Sequence, residues 1–277
     1  MWGVFPLYFR AVSEVPPLII LCHRIFWSSL FLALVVSARR EWKLVRPVLM
    51  KRRNLILLSA GAVLIALNWL IFIYSVVSKQ VLQASLGYFI NPLLSVALGV
   101  VFLREKLRPF QWCAVAIASL AVANLALRGL GFPWIAVSLA ATFGFYGLVR
   151  KLVDINSLLG LLIESSLLLP VALTLVVLLP TGNVASLTWG ILSLSGIITA
   201  VPLLCFGAAL RRLRLSTMGF LQYIGPTLQF AVAVFVFHES LDRARLGSFS
   251  LCWLAIAVYL ADSILRREPP ALADEPE

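Results

Sequence analysis

Residues 81–107 read VLQASLGYFINPLLSVALGVVFLREKL, and residues 215–241 read LSTMGFLQYIGPTLQFAVAVFVFHESL. An offset of 134 places Ile90 on Ile224, Pro92 on Pro226, Glu105 on Glu239 and Leu107 on Leu241. The match extends outward in both directions. Phe72 falls on Phe206 at the same offset, and near the front Trp2-Gly3 falls on Phe143-Gly144 and Leu7 on Leu148 at an offset of 141. The common order of these matches along both halves implies one unit used twice, over 1–128 and 129–267. Each copied stretch is an apolar run of the length that crosses a bilayer core of ~30 Å, about 20 helical residues.

Runs of this kind fill the chain. Five contain no Asp, Glu, Lys or Arg: 54–78, 81–103, 109–127, 129–149 and 215–237. The run 181–210 is long enough to hold a loop before its helix. The runs 15–38, 155–180 and 246–265 are interrupted only by His23-Arg24, by Glu164 and by Asp262. These make nine full spans. The stretch Met1–Phe9 is too short for a tenth and reads as the second half of a helix, because its counterpart begins near Pro133. The expected fold is therefore an all-α polytopic membrane protein: ten transmembrane helices as two five-helix units, with the first helix truncated at its N-terminal half. The Pro- and acid-rich tail 268–277 reads as disordered.

Composition agrees. The 277 residues are 61% hydrophobic and 13% charged, with a mean hydropathy of +0.99. A soluble domain has about 25% charged residues. The net charge of +11 could suggest nucleic acid, so its placement decides. With a cytoplasmic N-terminus, 17 of the 23 Lys and Arg residues fall in cytoplasmic loops, 5 fall outside and Arg24 lies within a span. That asymmetry is a topology signal rather than a nucleic-acid surface. It also puts Arg104, Lys106 and Arg108 inside and their counterparts His238, Ser240 and Asp242 outside. A five-helix unit is odd, so its second copy enters the membrane from the other side, as in inverted-repeat transporters.

Charge at membrane depth costs about 2.5–3.5 kcal/mol on insertion scales. Arg24 and Glu164 occupy equivalent positions at an offset of 140, and form either a charge pair or two separate gates beside a substrate path. Glu164 is the candidate proton-coupling residue, with His23 as a second. Ser85, Tyr88, Pro92 and Ser95 fall within about 80° of one another on a helix, flanked by Asn91. Gly219, Gln222, Pro226 and Gln229 repeat that spacing, with Tyr223 beside them. Each stripe surrounds a mid-span proline, and Pro92 and Pro226 are expected to kink their helices. Asn68-Trp69 lies deep in its span, where Trp69 could wall a site for a cationic or ring-bearing substrate. Tyr146 is the deep counterpart of Phe5. The candidate substrate cavity thus comprises Arg24, Asn68, Trp69, Ser85, Tyr88, Asn91, Tyr146, Gln222, Tyr223 and Gln229. Ala62-x-x-x-Ala66 and Ser119-x-x-x-Ala123 read as helix-packing motifs.

No sequence motif supports covalent chemistry, a metal or a cofactor. Cys22, Cys113, Cys205 and Cys252 lie in apolar runs without a CxxC pair, so a disulfide framework is not expected. An intramembrane enzyme would have to rest on Glu164 with His23, without an electrophile site.

The stretches WGVFPLYF, LCHRIFWS, NWLIFIYSV, ASLGYFINPLLSVALGVVFLREKL, FYGLVRK, IESSLLLP, TAVPLLCFGAALRRLRLSTMGFLQYIGPTLQF and FHE resemble the RarD group of the EamA-type drug/metabolite transporters, from residue 2 to about 267. The resemblance implies a permease of two inverted five-helix units in a bacterial inner membrane, with a link to chloramphenicol sensitivity. It further implies export of a small metabolite or an amphiphilic drug. The truncated first helix departs from the group's pattern. Together these readings give a secondary exporter working by alternating access, with H+ as the coupling ion if one is used, both termini cytoplasmic, and no nucleic-acid partner. Its partners are a small-molecule substrate and the lipid bilayer, as a monomer or homodimer. A membrane scaffold or sensor that carries out no transport is the alternative.

Overall fold

A computed structural model describes residues 2–12, 14–78, 81–127, 133–179, 186–236 and 243–265. Among them every regular element is helical. In chain order these are α1 Phe5–Ala11, α2 Pro17–Ala38, α3 Val45–Met50, α4 Arg52–Val77, α5 Val81–Phe102, α6 Pro109–Ala126 and α7 Trp134–Leu152. They continue with α8 Ser157–Leu178, α9 Ser186–Ser193, α10 Ser195–Arg212, α11 Leu215–Gln222, α12 Ile224–Phe235 and α13 Arg243–Leu265. Six helical stretches are long and apolar enough to cross a membrane: Pro17–Ala38, Arg52–Ser75, Trp134–Leu152, Ser157–Leu178, Thr188–Arg212 and Leu246–Leu265. Leu86–Phe102 and Pro109–Asn124 are shorter apolar helices.

Local sequence sets several boundaries. Pro17 opens α2 and Pro109 opens α6, positions where a missing N–H costs nothing. The Asn156 side chain accepts the Leu158 N–H at 3.1 Å and caps α8. At the end of α5, the Glu105 N–H bonds back to the Gly99 carbonyl at 3.0 Å, with Arg104 left-handed at φ 54°.

One expectation changes in detail. The 215–237 run is not one kinked helix: it breaks at Tyr223 into α11 and α12. The cause is Pro226, which has no N–H for the Gln222 carbonyl, so α11 ends there and proline sits in the first turn of α12. Pro92 stays inside a continuous α5. The basic stretch 38–53, which lies between two of the apolar runs, folds into a 3-10 turn at Glu41–Leu44 followed by α3.

The chain forms two compact units, Met1–Ser78 with Val149–Ala208, and Lys79–Leu148 with Ala209–Glu277. Each takes helices from both sequence halves. Within the first unit α2 packs on α8, and α4 packs on both. Within the second, α5 packs on α11 and α6 on α13. The offsets reappear in these partnerships. Moving α2 by 140 residues gives the bounds of α8, and moving α6 by 134 starts at the first residue of α13.

The second unit's core runs through Ala114, Ala118 and Ala121 of α6 and Cys252 and Ala255 of α13, with Phe89, Phe220, Phe249 and Tyr259 around them. Small side chains let α6 and α13 approach closely. Asn124 adds a hydrogen bond to Ser248 at 2.8 Å. The packing row is this alanine series rather than the expected Ser119 and Ala123, which are exposed.

Candidate functional site

The first unit contains the charged site. Arg24 is the one ionised residue of α2, beside His23, in an otherwise apolar helix that also holds Ser28, Ser29 and Ser37. Arg24 is half-buried. Its Nε donates to Thr199 Oγ1 on α10 at 2.9 Å. Its guanidinium carbon lies 5.0 Å from the ring centre of Trp69, 5.7 Å from Phe9 and 5.8 Å from Phe5. Three rings from α1 and α4 thus surround one cation, a favourable arrangement for a charge at membrane depth. Trp69 was expected to wall a site for a cationic or ring-bearing substrate. The cation facing its ring is the protein's own Arg24.

Glu164 sits at the corresponding place on α8 and is 1% exposed. Its Oε1 lies 3.3 Å from Arg150 Nη1, and Arg150 Nη2 donates to the Ser157 carbonyl at 3.3 Å. Both side chains are buried. Gly160 and Gly207 make room for Arg150: a Cβ at Gly160 would meet Arg150 Nη1 at 2.2 Å, and one at Gly207 would meet Nη2 at 3.0 Å. Arg150 is one of the 17 residues counted above as cytoplasmic loop charges. It lies instead in the last turn of α7, facing an interior acid. Arg108, also read as a loop charge, is half-buried and faces Asp262 of α13 at 3.5 Å.

A small cavity lies beside Glu164. Its walls include Ile25, Ser28, Ile65, Trp69, Ser165 and Thr199, with Leu168 and Leu203 completing the counterpart pairs. About 20 Å³ is open to the centre of a water-sized sphere, room for one water. Its lining follows the sequence offsets. Ile65 and Thr199, and Trp69 and Leu203, are counterparts at 134, while Ile25 and Ser165, and Ser28 and Leu168, are counterparts at 140.

The remaining candidates separate by unit. In the first, His23 packs its ring against Trp189 at 5.3 Å, and neither ring nitrogen meets a hydrogen-bond partner among the described residues. Asn68 is half-buried on α4. In the second unit, Asn91 of α5 donates to the Gln222 side-chain carbonyl of α11. The Tyr223 hydroxyl donates to the Phe89 carbonyl at 3.2 Å, three residues before Pro92. Phe89 and Tyr223 are counterparts at 134, so one copy carries the hydroxyl that bonds the other copy's backbone beside its proline. Gly219 lets the helices meet there, since a Cβ on it would lie 2.7 Å from the Pro92 carbonyl oxygen. Tyr146 is fully buried against Phe143, and Tyr88 is exposed. The side chains of Ser85 and Gln229 lie outside the described residues, as do His238, Ser240 and Asp242.

The sequence reading missed Thr199, Phe5, Phe9 and Arg150 as site residues. A signal existed for the last two. The 141 offset puts Phe9 on Arg150, so the residue facing Arg24 and the residue facing Glu164 are counterparts.

Residues 1–127 match the model of the EamA-like transporter family. The chain is 42% identical over 270 residues to an uncharacterized transporter of Vibrio cholerae, covering 95% of this chain and 89% of that protein. It is 41% identical to Protein RarD of Escherichia coli, covering 95% and 91%. It is 30% identical to the Chloramphenicol-sensitive protein RarD of Pseudomonas aeruginosa, covering 97% and 93%. A crystal structure of a protein 16% identical to this chain superposes with a TM-score of 0.74, covering 96% and 95%, a likeness of fold alone. With apolar helices of membrane-crossing length and transporter relatives along nearly its whole length, this chain is a multi-pass membrane protein that belongs to the RarD group of the EamA-like transporter family.

Proposed function

We propose that this chain is a secondary-active exporter that moves a small metabolite or drug-like amphiphile across the bacterial inner membrane by alternating access. The observation that carries the proposal is the cavity beside Glu164, whose walls pair up across the sequence offsets. Sites built at a repeat interface near the bilayer midplane are characteristic of secondary transporters. Ten helices in two inverted five-helix units, 1–128 and 129–267, account for the offsets. The excess of Lys and Arg on one side favours cytoplasmic termini. With room for one water, the cavity corresponds in this reading to a closed state that must widen to admit substrate. Pro92 and Pro226 supply the bends.

Glu164 is the coupling residue in this account. Taking up a proton removes its charge and releases Arg150 from the buried pair. The experiment is uptake into everted membrane vesicles under an imposed pH gradient, with labelled amino acids, amines and chloramphenicol as the panel. Gradient-dependent uptake that Arg24→Ala abolishes is the expected result. Absence of uptake of every compound by folded protein would favour a scaffold or sensor.

A further inference from the structure

The stretch between α2 and α4, residues 39–53, holds seven basic residues and one acid, Glu41. Glu41 faces Arg39 at 3.8 Å, and the other six basic residues are exposed. The stretch joins the ends of two helices long enough to cross a membrane, so it lies at a bilayer surface. An excess of Lys and Arg beside a span orients a chain in the membrane. That effect needs charge but no fold, and this stretch is folded. Arg40 turns the chain back with φ at 56°. The 3-10 turn Glu41–Leu44 packs on α2 and on α3, and α3 packs on α4. Trp42 Nε1 donates to Ser37 Oγ in the last turn of α2 at 2.8 Å, which pins the indole at the helix end while leaving it 48% exposed. Leu44, Leu49 and Met50 are exposed in the same stretch. Helix stability does not account for the charges either. Lys51, Arg52 and Arg53 stand where α4 opens, with no acid in its first turn, and the helix dipole disfavours cations at that end.

We infer that this folded segment is a docking surface for the headgroups of anionic phospholipids. The proposal goes beyond the transport reading and does not depend on it. Charge complementarity names the occupant. Clusters of about four to eight Lys and Arg beside a span attract anionic lipid, and six exposed cations match a layer of lipid phosphates. The apolar side chains select a lipid over a soluble anion. Trp42, Leu44, Leu49 and Met50 can enter the boundary between headgroups and acyl chains, where Trp is favoured. A soluble phosphate would engage the cations and leave those four side chains in water.

The test uses the full chain, immobilised in a neutral detergent. The probe is labelled phosphatidylglycerol, and the control is phosphatidylcholine with the same acyl chains. Phosphatidylglycerol should be retained about tenfold more strongly at low salt, and the preference should shrink at about 0.5 M salt. Arg40→Gln, Lys43→Gln and Arg46→Gln combined leave Lys51, Arg52 and Arg53 to orient the chain. This triple variant should bring phosphatidylglycerol to within about threefold of the control lipid. If it does not fold, Lys43→Gln alone serves and should weaken phosphatidylglycerol retention about threefold. Trp42→Ala should weaken retention of both lipids by a similar factor. Equal retention of the two lipids by the parent, or unchanged retention in the folded variants, would overturn the proposal. Glycerol 3-phosphate that displaces the probe as well as unlabelled phosphatidylglycerol would also overturn it, and would mark a site for a soluble phosphate instead.

Discussion

α2 and α8 are the same length, 22 residues, and each carries its one ionised side chain at the eighth position. Their surroundings differ. Arg24 is half-buried among three rings and a hydroxyl. Glu164 is sealed from solvent against an arginine. The same backbone position thus supports a cation in an aromatic cage in one helix and half of a buried ion pair in the other. Phe9 and Arg150, the facing residues, are counterparts in the same sense. The proposed transporter reading gives ligand binding to α2 and coupling to α8.

The largest effect should come from breaking the sealed side. Glu164→Ala removes the carboxylate facing Arg150 and should cost about 3–5 kcal/mol, the range for one partner of a buried pair. Arg24→Ala, half-buried and ring-caged, should cost only about 1–2 kcal/mol. Thermal unfolding of the two variants in detergent checks the order. Equal losses would erase the contrast between the helices. Next is Gly196→Ala. A Cβ there would lie 2.4 Å from the Trp27 carbonyl on α2, and backbone cannot swing aside, so a loss of about 1–3 kcal/mol is expected in the same assay. The smallest effect should be Trp69→Phe. It keeps a ring beside Arg24 and should cost about 0.5–1 kcal/mol.

Much of the fold was legible because apolar runs and their interruptions are local properties. The apolar runs 15–38 and 155–180 fold as the helices Pro17–Ala38 and Ser157–Leu178. The break at Tyr223 was less legible. Pro92 and Pro226 look alike in sequence, yet α5 remains continuous with the Tyr223 hydroxyl bonded to the Phe89 carbonyl near its proline, while α11 ends. In the site, Arg24 and Glu164 were visible as charges out of place. Their partners were hidden, because Thr199 and Trp69 come from helices distant in sequence. Arg150, beside Lys151 at a helix end, has the look of a loop charge. Only packing, with Gly160 and Gly207 clearing its path, shows that it points inward.

The central claim is that Arg24 serves substrate binding and Glu164 serves coupling. The direct measurement is transport by Arg24→Gln and Glu164→Gln proteins in vesicles, in two modes with a substrate the parent carries: uptake driven by a pH gradient, and exchange of labelled for unlabelled substrate without one. Glu164→Gln should lose driven uptake and keep exchange, while Arg24→Gln should lose both. Equal loss of both modes in Glu164→Gln, or driven uptake that survives in it, would contradict the division of labour.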